Sequence, residues 1–184
     1  MENEEIKSPV YSRDVLEFVT VAVQYCAFLE SAEQKERKEF VDTILKLLSL
    51  LYLKGVLLPK YTSMSDEELQ EYVTEDNYDI IRNNIAFVMG EKDDYLDVFV
   101  EDMKYSDSPI LCTVSENLAD IYQDLKNFAC TFKDGYEESM MEALIVCKDN
   151  FEMYWGQKLT NVLRALHEIR FSMVDDEEGM YEEE

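Results

Sequence analysis

Residues 136–173 read YEESMMEALIVCKDNFEMYWGQKLTNVLRALHEIRFSM. Along them Met140, Leu144, Cys147, Phe151, Trp155, Leu159, Val162, Leu166, Ile169 and Met173 span 33 residues in nine steps. That is about 3.67 residues per step, close to the 3.6 of an α-helix. The apolar stripe keeps its phase across Gly156, which predicts one helix over 136–173, bent at that glycine. A long helix with one apolar stripe buries it against other helices, so this stretch sets the fold class. Lys148 falls near the middle of the stripe and predicts a frayed or exposed half of the helix there.

The rest of the chain supplies the partners. Ser12 is placed to cap a helix over 13–30, with Val15, Phe18, Val19, Ala22, Tyr25, Cys26 and Leu29 inward. A second helix is expected over 33–54, with Phe40, Val41, Ile44, Leu47, Leu48 and Leu51 inward. Its first turns, EQKERKEF, form a solvated charged face, Gly55 provides a left-handed stop, and Pro59 prevents a restart. Ser65-Asp-Glu-Glu68 reads as a capping box for a short helix over 66–73. A helix over 77–89 buries Tyr78, Ile81, Ile85, Val88 and Met89 and stops at Gly90. DDYLDVFVEDM, residues 93–103, opens with acids as a helix does, although YLDVFV also alternates as a strand would. Ser108-Pro109 is a helix start signal, followed by a stripe from Leu111 through Val114, Leu118, Ile121, Tyr122, Leu125, Phe128, Ala129 and Phe132 to Gly135. No internal repeat is found. The expected fold is all-α: an antiparallel helical bundle of four long helices plus two or three short helices. The expected organisation is a disordered N-terminus over 1–9, a single helical domain over 10–173 and an acidic disordered tail over 174–184.

Composition bounds the function. Apolar residues make up 47% of the 184 positions, and glycine (5) and proline (3) are scarce, which suits a helical core without staples. The four cysteines, Cys26, Cys112, Cys130 and Cys147, form no CxxC pair, and Cys26 and Cys147 lie on apolar faces as small buried hydrophobes. MENEEIK opens polar and acidic, with no signal peptide, so a cytoplasmic location with reduced thiols is expected. The most apolar run, Ile44 to Leu58, is too short and too charged for a bilayer. The formal net charge is −24. Removing the seven acids of DDEEGMYEEE, residues 175–184, leaves −17, and segment 64–102 alone contributes −11. Such a surface repels nucleic-acid backbones and anionic membranes, so direct binding to either is not expected.

The candidate site residues cluster around the only tryptophan and the only histidine. On a helical wheel centred on Leu166, Trp155 lies on the apolar face, Arg170 at about 40° lies inside it, and His167 at about 100° sits on its edge. Arg164 points away. Trp155 reads as core with a paired indole N–H, and His167 as a rim histidine. An inward guanidinium cannot shed its charge, so Arg170, and Arg82 on its own helix, each need a carboxylate or a bound anion. The two readings are structural ion pairs and an anion pocket between helices lined by Tyr154 or Trp155.

Catalytic and metal motifs are missing. A di-iron bundle needs two Glu-x-x-His pairs, and here the residue three before His167 is Arg164. An all-carboxylate magnesium or calcium site stays open, with Asp93-Asp94 and Asp97, or Glu67-Glu68 and Glu71, at suitable spacing, but such pairs are what an acid-rich helix carries anyway, and no EF-hand order is found. There is no G-x-S-x-G elbow and no glycine-rich phosphate loop. No catalytic residue, metal ligand or cofactor is assigned.

VYSRDVLEFVTVAVQYCAFLE near the start and NFEMYWGQKLTNVLRALHEIR near the end resemble a bacterial domain-of-unknown-function family of small all-helical cytoplasmic proteins. The resemblance covers roughly residues 10 to 172. It implies a mostly helical single domain and brings no family catalytic residues with it.

The specific function is unknown from sequence. The leading expectation is a non-enzymatic acidic helical protein-interaction module whose partner is a protein with a basic patch, met by electrostatic steering. The rival is a ligand-binding bundle or unrecognised enzyme with an anion pocket at Arg82 and Arg170. A third is a nucleic-acid mimic using carboxylates of segment 64–102. The long last helix carries more apolar surface than a slim bundle needs, which leaves room for a homodimer.

Overall fold

A computed structural model describes residues 8–62, 69–97 and 109–178. Six α-helices form among them: α1 (Arg13–Glu30), α2 (Arg37–Leu57), α3 (Glu75–Met89), α4 (Val114–Asp134), α5 (Glu137–Asn150) and α6 (Gly156–Glu178). One antiparallel hairpin joins β1 (Asp94–Asp97) to β2 (Ile110–Thr113), with Tyr95 opposite Cys112.

Cross-helix contacts give the directions. Phe28 of α1 stacks on Phe40 of α2 at 5.4 Å, while Glu17 pairs with Lys54 at the other end. Phe18 meets Phe128 of α4, and the Tyr25 hydroxyl donates to the Leu118 carbonyl at 2.9 Å. Asn150 reaches Asp124 and Lys158 reaches Asp120, and Arg170 of α6 pairs with Asp42 near the start of α2. Each adjacent pair therefore runs antiparallel. The protein is all-α, an antiparallel bundle of α1, α2, α4 and the α5–α6 rod, with α3 and the hairpin laid on the outside of α4. One contiguous core fills it, centred on Phe18, Tyr25, Phe40, Leu118 and Trp155.

The first helix spans the expected residues. Ser12 occupies its N-cap, but the hydroxyl makes no capping bond and is buried without a partner among the described residues. Val21 is buried where Val19 was expected, and Val19 is only half-buried. The stripe of 136–173 is buried from Met140 to Ile169 as predicted. The rod is not one α-helix, however. Residues Phe151–Trp155 form a π-turn in which the Gly156 N–H donates to the Phe151 carbonyl. The extra residue in that turn packs Phe151 and Trp155 ring to ring, centroids 4.7 Å apart.

Lys148 overturns its expectation. It is buried, neither frayed nor exposed, because its ammonium donates to the Gly55 carbonyl at 3.0 Å. The Gly55 carbonyl lies in the last turn of α2, at the negative end of the helix dipole, where a cation is favoured; it also accepts from the Leu58 N–H at 3.4 Å. Glu152, 3.6 Å away, balances the charge.

Gly55 is also corrected. α2 runs past it to Leu57, and Gly55 has no positive φ. Its role is close approach: a Cβ there would stand 3.0 Å from the Phe151 ring. Pro59 follows one residue after the C-cap, Leu58. Gly90 (φ 54°) and Gly135 (φ 78°) do end their helices as the sequence suggested, both at positive φ, with Gly135 in the left-handed helical region.

Three boundaries differ. α2 begins at Arg37, after a 3₁₀ turn over Ala32–Gln34. The start signal at Pro109 fails because Ile110-Leu-Cys-Thr113 pairs as a strand with Asp94–Asp97. α4 starts four residues beyond Ile110 instead, where the Thr113 side chain accepts from the Glu116 N–H. Asp93 reinforces that start by accepting from the Ser115 N–H (2.8 Å) and hydroxyl (2.6 Å), so its carboxylate sits at a helix N-terminus and locks the hairpin to the bundle. The expected helix over 66–73 lies partly outside the described residues, and the described part, 69–73, is irregular.

Candidate functional site

The outer side of α3 is built by simple periodicity. Ile81, Ile85 and Val88 face the core. Asp76, Ile80, Asn83 and Phe87 then fall one above another on the opposite face, at steps of four, three and four. Phe87 is 80% exposed and Ile80 is 56% exposed. Asp76, Glu75 and Glu91 are exposed around them. The helix is pinned from beneath. The Tyr78 hydroxyl donates to Asp120 at 2.7 Å, the Asn127 side chain accepts the Tyr72 and Val73 N–H groups, and Arg37 donates to the Val88 carbonyl at 3.3 Å. The result is two large apolar side chains on the outer face of a helix that starts with the exposed acids Glu75 and Asp76.

A polar groove of about 420 Å³ runs beside it between α4 and α5. Asp124, Asn127 and Thr131 of α4 face Asn150 and Tyr154 across a floor that includes Phe128. Asp120 lies at its end, bound by Tyr78 and by Lys158, whose ammonium stands 4.8 Å from the Tyr154 ring. Asp124 differs, since it accepts from the neutral amide of Asn150 at 2.7 Å. Burial raises its carboxyl above the ordinary value of 3.8, the Asn150 bond opposes this, and nearby Asp120 adds to it.

That shift has a sign. The native state holds the Asp124 proton more tightly than the unfolded chain, so this group's contribution favours folding as pH falls through the raised native value. Asp124→Asn keeps an oxygen for the Asn150 amide and removes the charge. It is expected to be more stable than the wild type at pH 7, with the gain gone once pH falls below the ordinary carboxyl value of 3.8. Thermal melts across pH check this, and a variant less stable at pH 7 would contradict it.

A second groove of about 570 Å³ separates β1 from α6, with Arg164 and Lys92 among acids such as Asp97 and Glu168. Asn161 donates to Asp97 across it. Neither Arg82 nor Arg170 lines either groove. Arg82 pairs with Asp79 at 2.9 Å and lies over the Tyr78 ring, while Arg170 pairs with Asp42 at 3.0 Å. Each guanidinium therefore has its own carboxylate, and the two face different neighbours. Trp155 is fully buried, its indole donating to the Cys147 carbonyl at 3.2 Å and its ring stacked on Phe18. His167 is exposed, with its ring 4.5 Å from Phe171. Tyr154 lines the α4–α5 groove, away from both arginines. The residues singled out by rarity are thus dispersed. The α3 ridge was missed, although its signal was present: Ile80 and Phe87 are the large apolar residues left over once the inward set is assigned.

Among the described residues no group of three or more His, Cys, Asp or Glu side chains could hold a metal, and no helix is long and apolar enough to cross a membrane. What stands is the class of an acidic helical-bundle protein. The chain belongs to the DUF5063 family, a domain of unknown function, which matches residues 9–172. It is similar to the crystal structure of protein BF1032 from Bacteroides fragilis, a structural genomics target. The two are 45% identical, with 89% of this chain and 96% of that chain covered and a TM-score of 0.79. No curated protein matches.

Proposed function

We propose that this protein is a non-enzymatic interaction module of the bacterial cytoplasm that presents the α3 ridge to a basic partner protein. The observation that carries the reading is the exposure of Phe87 and Ile80 on one acidic helix face. A large aromatic and a branched aliphatic side chain seven residues apart are the anchors with which a helix fills an apolar groove. The acids around them set the chemistry of the rim: lysines and arginines on the partner, brought in faster at low salt by a body of charge −24. Free thiols at all four cysteines suit a reducing compartment, and the similar Bacteroides protein supports a bacterial setting.

The test is a low-salt pull-down from native lysate, followed by titration of the captured protein against wild type and Phe87→Ala. The side chain is almost free of intramolecular contact, so folding should be unchanged. Affinity is expected to fall at least ~10-fold, as for an interface anchor, and to weaken as salt rises. An empty low-salt pull-down, or a captured partner indifferent to both Phe87→Ala and salt, refutes the reading.

A further inference from the structure

The outer face of α2 is chemically unlike the α3 ridge. Residues 43–65, TILKLLSLLYLKGVLLPKYTSMS, hold three lysines and no acid, in a chain with 41 acids among 184 residues. From this stretch α2 turns Leu50, Tyr52, Leu53, Val56 and Leu57 outward. Leu53 is 53% and Val56 51% exposed. Leu16 of α1, next to the Glu17 that pairs with Lys54, is exposed as well. The lysines leave little net charge on the face. Lys46 pairs with Asp42, Lys54 with Glu17 and Lys60 with Glu152, at 2.6, 2.5 and 2.7 Å.

We infer that this face is where a second copy of the chain docks, α2 against α2 about a twofold axis near Leu53. Charge selects the occupant. Two bodies of −24 repel wherever acids face acids, and this strip lets them approach without bringing like charges together. A basic partner is steered toward the acid-rich α3 side instead, and an acidic one finds these lysines already neutralised. A twofold contact presents one patch to itself, so an apolar strip with no net charge is self-complementary. Leu50, Leu53 and Leu57 recur at the three- and four-residue steps of a helix–helix seam. The antiparallel register brings Lys46 of one copy toward the end of the other where Asp149 and Glu152 both flank Lys60. A standard contact buries roughly 800 Å² on each partner. The apolar side chains supply its centre, and the lysine stems its rim. This inference does not depend on the α3 reading.

Sedimentation of the full chain over a concentration series tests it. Wild type is expected at twice the 21.6 kDa chain mass. Leu53→Glu and Val56→Glu, each placing a carboxylate opposite its own copy, are expected to weaken the dimer at least ~100-fold while circular dichroism stays native. A wild-type chain that remains at 21.6 kDa at the highest concentrations overturns the inference. So does a dimer mass unchanged in the folded variants. If both variants unfold, hydrogen exchange on wild type decides: dilution must raise exchange across residues 49–57, and equal exchange in dimer and monomer overturns the assignment of the face.

Discussion

Trp155→Ala is expected to destabilise the protein by about 3–5 kcal/mol, the range for emptying a large aromatic site in a core. The side chain is fully buried and lies at the junction of three helices and the π-turn. Its ring stacks on Phe18 of α1 at 6.4 Å and meets Phe151 at 4.7 Å, and Phe18 in turn meets Phe128 of α4. Removing the indole therefore opens a cavity bounded by elements that are fixed by one another and cannot collapse cheaply. Against a total stability of about 5–15 kcal/mol the loss is a large fraction. Urea unfolding followed by far-ultraviolet circular dichroism measures it. Trp155→Phe should recover most of the loss, because it restores ring packing, but not all of it, because it gives up the bond to the Cys147 carbonyl. A cost below about 1 kcal/mol for the alanine variant would mean that this cluster does not organise the core.

Gly156→Ala should also destabilise, against the direction that helix propensity predicts. Alanine is better than glycine inside a helix by about 1 kcal/mol. A Cβ at position 156 would, however, stand 2.3 Å from the Phe151 carbonyl oxygen and 3.0 Å from its ring. The first contact is with backbone, so no rotamer change relieves it, and the π-turn itself has to deform. The overpacking cost exceeds the propensity gain, and the expected net loss is about 2–3 kcal/mol. Gly55→Ala touches the same ring from the α2 side at 3.0 Å, through side-chain atoms only, and should cost less. Phe151 is thus held between two glycines distant in sequence. Equal or greater stability of Gly156→Ala in the same urea assay would show that the π-turn is dispensable.

These two variants mark where reading the sequence succeeds and where it stops. The rarity of Trp155, His167 and the arginines drew attention to residues 154–170, yet the structure sends their side chains to separate places. Trp155 enters the core, His167 lies at the surface on Phe171, and Arg170 finds Asp42 on another helix. One-dimensional proximity does not make a site when successive residues on a helix turn by 100°. The α4–α5 groove was equally hidden. Asp120, Asp124, Asn127 and Thr131 recur at helical spacing, but only the packing of α5 and of Leu69, Gln70 and Glu71 beside them makes a cavity of that polar stripe.

The sequence by itself determined the all-α class, the extent of α1, the stops at Gly90 and Gly135, and the inward stripe of the last rod. Those features depend on local periodicity and on backbone conformations that few residues adopt, and both are written into short stretches of chain. Only the tertiary structure decided the rest. Ile110–Thr113 became a strand because Asp94–Asp97 was there to pair with it. Lys148 went inside because α2 ended beside it and offered the Gly55 carbonyl. Gly55 and Gly156 served neither as a stop nor as a plain bend, because the Phe151 ring needed the space at both. In each case the deciding partner lies far away in sequence, and its energy exists only once the helices have met.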